Sequence, residues 1–289
     1  MRSRVLPQEP VKQVLVVIGS PARISLPAGS YCRSLPPRSP ESNAIDLSFN
    51  PRPQVKVLRF GSDGYCCLVD DILRFPEQWV RYAVEHRAQF MPPSGGYPGI
   101  TLEVDPSAAH AMREFFALYM RRHFDARRIV QMLGRFGLVT LAPGELRPAQ
   151  WLCHQDLPGE DPNLSQLACT LYLFRDDTLG GTSFYEAMRS FAETSRLFAD
   201  AAVMTGPQFT ERYGIQPSYP CDSNAYFRRI ATVPARWNRA VFYLGQWLHS
   251  GQITAPERLT ADPATGRLTV NFFFHCQRNL APAVSRPQS

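Results

Sequence analysis

From about residue 129 onward the chain is a succession of short β-prone segments separated by turn residues, and this rhythm limits the fold more than any other feature. Phe136–Leu141, Gln150–His154, Leu167–Phe174, Thr182–Tyr185, Ala225–Thr232, Ala240–Leu248 and Leu268–Phe274 read as strands. Many short strands with turns between them predict a sandwich or a barrel-like pair of sheets. Upstream, Tyr65–Val69 reads as a further strand. Two helices come after it. Pro76 opens the first, over about 76–88, with Trp79, Val80, Ala83 and Val84 on its apolar face; Asp105 caps the second, over about 106–122, with Met112, Phe115, Phe116 and Tyr119 at helical spacing. The expected class is therefore α+β, mainly β with flanking helices. Between them the Gly/Pro-rich run from Pro92 to Gly99, with Tyr97 in it, has the composition of a loop that rims a pocket.

At 289 residues and 44% hydrophobic composition the chain can bury a substantial core. Residues 1–58 mix short β-prone pieces with Pro and Ser and read as an extended arm; 59–289 read as a single domain. An insertion at about 186–225 breaks the strand rhythm, helical to Thr205 and then loop-rich with Tyr213 and Tyr219, and is the expected lid. The net charge of +6 lies almost wholly in the arm: residues 1–58 hold eight basic and three acidic side chains, the remainder 23 and 22. A balanced body argues against a nucleic-acid partner. Seven cysteines without CxxC spacing predict reduced, packed thiols. The longest early apolar run, Val14–Ile18, is shorter than a signal-peptide core or a membrane span, so a soluble cytoplasmic protein without a membrane partner is expected. Oligomeric state is open.

The chemistry starts at His154-Gln155-Asp156. On a strand, residues two apart share a face, so His154 and Asp156 can grip one metal ion. Such a pair alone means little, since six histidines and 25 acidic residues in 289 produce it by chance about half a time. A second copy, His123-Phe124-Asp125, ends an apparent helix, where residues i and i+2 diverge. The residues downstream of the first copy are more informative. Tyr172 lies on a strand that runs to a Gly180-Gly181 turn; His249 precedes Ser250-Gly251; Arg267 and Thr269 open the last strand, with Asn271 beyond them.

In this order the motifs resemble those of the Fe(II)- and 2-oxoglutarate-dependent oxygenases, over about residues 65–280 and most specifically from 150 to 275. The resemblance is to an uncharacterised bacterial group near the prolyl-hydroxylase-like branch. It implies a double-stranded β-helix, the jelly roll also found in cupins. It also implies a metal held by His154, Asp156 and His249 as a facial triad that leaves positions for 2-oxoglutarate and dioxygen. The far carboxylate of 2-oxoglutarate needs a cation. No Lys follows Lys56, so Arg must serve: Arg267 ranks first, assisted by Thr269 and, by analogy with the prolyl-hydroxylase branch, Tyr172, with Arg258 as competitor. Asp156 distinguishes the chain from the halogenating branch, where a small residue replaces the carboxylate.

The expected activity is hydroxylation of an unactivated carbon of a small molecule, such as an amino acid or a natural-product intermediate. The alternative is a cupin-like metal-binding or structural protein without turnover. Arg147, Arg228 and Arg236 are the candidate counter-charges for an acidic substrate, and Trp151, Phe184, Trp247 and Phe273 the candidate apolar wall.

Overall fold

A computed structural model describes residues 45–156, 161 and 163–279. The first 44 residues of the expected arm, most of the loop after Asp156 and the C-terminal ten residues lie outside that range. The strands are β1 (Val55–Phe60), β2 (Gly64–Val69), β3 (Gly99–Glu103), β4 (Ala126–Val139), β5 (Leu164–Tyr172), β6 (Thr182–Ala187), β7 (Phe227–Val233), β8 (Arg239–Leu244), β9 (Leu248–Gly251) and β10 (Leu268–Arg278). The helices are α1 (Pro76–Glu85), α2 (Pro106–Phe115), α3 (Phe191–Val203) and α4 (Gly206–Tyr213).

Seven strands form one antiparallel sheet in the order β1-β2-β8-β5-β10-β4-β3, and three form a second in the order β7-β6-β9. An isolated bridge from His154 to His249 continues the smaller sheet beyond β9. From β4 onward successive segments alternate between the sheets except at the β6–β7 pair, with β4, β5, β8 and β10 in the larger one and His154, β6, β7 and β9 in the smaller. That alternation is the double-stranded β-helix.

The strand pattern departs from the sequence reading in five places, one of them β3, where no strand is expected after the Gly/Pro-rich run. β4 begins at Ala126, ten residues early, because Arg127, Arg128, Gln131 and Gly134 interrupt its apolar alternation without preventing it from pairing along β10. Gln150–His154 is no strand: Pro148–Trp151 is a 3-10 turn, which Pro148 favours, and only His154 makes a bridge. Ala240–Leu248 divides into β8 and β9 around a turn at Gly245. Val55–Leu58, assigned to the arm, are the start of β1 at the edge of the larger sheet. The helices also end early as α-helix: α1 stops at Glu85, before a 3-10 turn at Arg87–Gln89, and α2 runs into a π turn at Phe116–Met120 and a 3-10 turn ending at Phe124.

Strand parity sorts the larger sheet into two faces. Phe136, Phe242, Phe272 and Phe274 point outward into a core with Trp79 of α1 and Met112, Phe115 and Phe116 beneath α2; Phe116 stacks on Phe274 with centroids 4.4 Å apart. The inner face carries Ala168, Tyr172, Val241, Tyr243 and Phe273 against Phe184 and Val233 of the smaller sheet. α3 and α4, in the insertion expected to be a lid, do not lie over this inner face. Leu197, Ala201 and Phe209 pack instead with Tyr185, Phe227 and Leu248 on the outer face of the smaller sheet, because those are the apolar residues its parity turns outward.

Asn238 locks the layers together. It is buried in the left-handed region at φ 59°, where Asn is better tolerated than most side chains. Its side chain accepts from Leu73 N–H and donates to Leu73 C=O, both at 3.0 Å, while its own N–H donates to Tyr172 C=O. Asn238→Ala should destabilise by about 3 kcal/mol in urea unfolding, since it leaves two buried backbone groups unpaired and keeps the backbone strain. Asn238→Gly, which relieves only the strain, should cost about 1 kcal/mol less.

Candidate metal centre and anion site

His154 reaches its position through backbone pairing alone. Its N–H donates to His249 C=O and its C=O accepts from His249 N–H, both at 2.9 Å, and Asp156 N–H donates to Gly245 C=O at 2.8 Å. The extended backbone keeps His154 and Asp156 on one side, as the strand argument requires, although no full strand forms there. The bridge brings the two imidazoles side by side, with ring centroids 4.4 Å apart, and register places His249 opposite Phe184 on the inner face. One ligand atom from each of His154, Asp156 and His249 lies within 4.8 Å of the others.

The proton positions favour a cation among them. His249 Nδ1 lies 2.8 Å from Trp247 C=O, a bond only a protonated Nδ1 can donate, which in the neutral ring turns the Nε2 lone pair towards the other two side chains. That Nε2 sits 3.5 Å from Asp156 Oδ2, which is buried and has no hydrogen-bond partner. Loss of hydration, followed by the neighbouring His249, lowers His154 to about 4, and its Nε2 is 3.9 Å from Asp156 Oδ1. Burial on its own would raise the Asp156 carboxyl, but His249, His154 and Arg135 outweigh it and hold the group below the ordinary value. Two imidazoles and one carboxylate, with ligand atoms converging, fit a divalent metal with open positions.

The second cluster surrounds Arg267. Only 4% of this residue is exposed, and its guanidinium donates to three carbonyls, from Nε to Leu179 at 2.9 Å and from Nη2 to Gly180 at 3.2 Å and Gly181 at 2.9 Å. Gly180, at φ +76°, turns its carbonyl into this role, and a Cβ there would collide with Gln252 C=O. Among the described residues no carboxylate pairs with Arg267, and its Nη1 makes no hydrogen bond. Burial lowers its pKa, countered by Tyr97, Tyr172 and Tyr219 among its neighbours. A buried cation facing only neutral acceptors is costly unless an anion joins it.

Hydroxyl groups complete this pocket. Tyr172 is fully buried, its hydroxyl 2.7 Å from Thr182 Oγ1, and burial pushes the phenol up to about 12. Thr269 accepts from Asn271 Nδ2 at 3.0 Å. Tyr97 has a buried hydroxyl without a hydrogen-bond partner. It lies over Gly137, where a Cβ would stand 2.5 Å from that oxygen, so glycine is what admits the ring.

Other expected residues lie elsewhere. Arg258 is an exposed partner of Asp176 at 2.6 Å and of Thr178 at 2.7 Å, and so does not compete with Arg267 for a buried anion. Arg228 pairs with Glu186 and Arg236 with Asp70; Arg147 is exposed and reaches Gly95 C=O at 3.5 Å. Trp151 donates to Leu146 C=O and packs on Phe209 behind the smaller sheet, whereas Phe184, Trp247 and Phe273 do line the inner space. His123 and Asp125 stand at the end of the 3-10 turn, where Tyr65 donates to His123 C=O. Two residues escaped the sequence reading. Tyr97 was legible only as part of a rim loop, and Arg135 was hidden because the strand was expected to start at Phe136.

Fold and site together define a double-stranded β-helix protein with two histidines and one carboxylate grouped so that they could hold a metal ion, and with a buried arginine. The chain belongs to the family described as "Family of unknown function (DUF6445)", whose profile matches residues 51–274. No curated protein matches it. Among solved structures it is similar to the non-heme alpha ketoglutarate dependent carbocyclase SnoK from nogalamycin biosynthesis, at 14% identity and TM-score 0.44, over 76% of this chain and 83% of that one. It is likewise similar to the epimerase SnoN of the same biosynthesis, at 12% identity and TM-score 0.42, over 75% and 82%. HygX from Streptomyces hygroscopicus, with nickel and 2-oxoglutarate bound, matches at 12% identity and TM-score 0.40, over 72% and 82%. At these distances the role of each side chain is read from this chain's own geometry.

Removing any one ligand should weaken metal binding by more than about a hundredfold, because losing a direct ligand costs more than the 10–100-fold lost with an outer-shell partner. Titration of Mn(II) into His154→Ala, Asp156→Ala and His249→Ala by calorimetry checks this; His123→Ala, at the decoy pair, should bind as the parent does.

Proposed function

We propose that the protein is an Fe(II)- and 2-oxoglutarate-dependent dioxygenase that hydroxylates an unactivated carbon of a small molecule. The observation that carries this reading is Arg267, a buried cation without a carboxylate partner, in a fold that also brings together two imidazoles and a carboxylate. A plain metal-binding jelly roll has no need of it. A dicarboxylate keto acid satisfies both features at once, with one end chelating the metal and the other neutralising the guanidinium.

His154, Asp156 and His249 would hold the iron, which with dioxygen and the keto acid supplies the oxidising power for attack on a C–H bond. Arg267 Nη1, Tyr97 and Tyr172 are the donors for the distal carboxylate, and Thr269 shares in the same hydrogen-bonded group. The Tyr97 hydroxyl gains there the partner it lacks in the protein alone. Phe184, Trp247 and Phe273 exclude water from the inner space. Asp156 occupies the third ligand position and leaves no place for a halide, which supports hydroxylation over halogen transfer. A cytoplasmic location is part of the same proposal.

Anaerobic protein with Fe(II) and 2-oxoglutarate should develop the weak visible charge-transfer band of the chelate, and oxygen should then release succinate. No band with wild-type protein would remove the proposal. Arg267→Gln should raise the 2-oxoglutarate concentration for half-saturation of the band by roughly tenfold or more, with Mn(II) affinity unchanged. Tyr97→Phe should also weaken 2-oxoglutarate, yet leave the ligand-free protein as stable or more stable by up to about 1 kcal/mol, since it deletes an unpaired buried hydroxyl.

A further inference from the structure

The inner face holds a second cation for which the proposed cofactors offer no counter-charge. Arg135 lies on β4, opposite Asn271 in register and two residues from the Gly137 that receives Tyr97. It is half-buried, with its guanidinium carbon 5.7 Å from the centroid of Phe273 on the same face. Among the described residues it makes neither a hydrogen bond nor an ion pair. Glu103, its cross-strand neighbour on β3, is exposed and does not reach it within ion-pair distance. Burial lowers the Arg135 pKa, with Glu103, Tyr97 and Asp156 acting against that, so these groups lie within electrostatic range.

Charge accounting then assigns it a task. A divalent metal and Arg267 carry three positive charges. Asp156 and the two carboxylates of the keto acid carry three negative ones. That set is neutral before Arg135 is counted, and Arg135 adds a positive charge near a metal of the same sign, in partly desolvated surroundings. Glu103, on the same face across the strand pair, offsets that charge only from an exposed position beyond ion-pair distance, so an anion in direct contact is still wanted, and the component still to enter is the substrate.

We propose that Arg135 is the receptor for a carboxylate on the substrate, so that the protein acts on small acids and discriminates against their neutral amides. The inference rests on the oxygenase reading, and its test separates the two. The planar fork of Arg135 can take a carboxylate through two parallel hydrogen bonds, and the Phe273 ring beneath it offers an apolar surface for the carbon chain next to that group. A fixed carboxylate would orient the rest of the molecule relative to the metal, which makes Arg135 a determinant of which carbon is presented.

Matched pairs of acid and primary amide (butyrate, 3-phenylpropionate, 4-phenylbutyrate) added to protein loaded with Mn(II) and 2-oxoglutarate provide the readout, through Mn(II)-dependent broadening of the probes' proton resonances. The acids should bind at least about tenfold more tightly than the amides, the difference expected for a charge-assisted bond. Arg135→Gln should abolish that preference, and Arg135→Lys, which keeps the charge, should retain part of it and report on the site even where Gln affects folding. Equal binding of acids and amides by wild type would overturn the inference. So would loss of Mn(II) affinity in Arg135→Gln with the acid preference intact, which would make Arg135 a positioning residue for Asp156. A weakened 2-oxoglutarate band in that variant would transfer Arg135 to the cosubstrate, again overturning it. Failure of wild type to form the band would instead sink the oxygenase reading itself.

Discussion

A charged side chain sealed against three backbone carbonyls with no carboxylate beside it is the constraint on which the architecture turns. Arg267 loses most of its hydration on folding, and neutral carbonyls return only part of that free energy. The surrounding structure is arranged to support it: the Gly180-Gly181 turn takes a left-handed backbone to aim its carbonyls, and the Phe174 ring lies 5.5 Å from the guanidinium. On the proposed reading the fold retains such a group, at a net cost, for an anionic ligand. The proposed metal site contributes the second half of the same logic, because one ligand atom from each of His154, Asp156 and His249 converges on a common point.

Both features depend on which face of each strand points inward. In the larger sheet the outward positions are nearly all aromatic or aliphatic and meet α1 and α2, while the inward positions change character along each strand. β10 runs from Thr269 through Asn271 to Phe273, and β4 offers Arg135 and then Gly137. Helices cover the outer faces of both sheets, so the inner face is where polar groups can collect without disrupting the main cores. The placement of α3 and α4 follows from this. Their apolar residues complement Tyr185 and Leu248, and those alternate with Phe184 and His249 on the site side.

The parts of the site legible in the sequence were those whose chemistry is local. His154 and Asp156 two apart, His249 before Ser-Gly, and Arg267 two before Thr269 can each be recognised without knowing what they face. The strand assigned to Gln150–His154 was wrong in form and right in effect, since one bridge and one further backbone bond keep the chain extended where alternation matters. Tyr97 and Arg135 were not legible, because their positions depend on register with distant parts of the chain. No periodicity in the Gly/Pro-rich run before Gly99 indicates that a phenol from it enters the sheet interior over a glycine of β4. The same limit applied to the insertion: composition gave helix, but only the pairing of β6 with β7 and β9 decides which side of the sheet that helix covers.

The two arginines divide the inner face by depth. Arg267 is enclosed on all sides by backbone and tyrosines, which suits a ligand of fixed length whose far end must always reach the same place. Arg135 is only half-buried, lies on β4 next to the edge strand β3, and has an aromatic ring in place of a carbonyl cage, so it can accept a group that arrives from solvent with a variable body attached. An enzyme of the proposed kind, which binds a constant cosubstrate and a selected substrate, needs that difference. If both cations were equally enclosed, a dicarboxylate could bridge them and occupy the whole space; if both were exposed, neither would hold an anion against water. The asymmetry in burial is therefore the physical basis on which one inner face can keep two anions in their proper order.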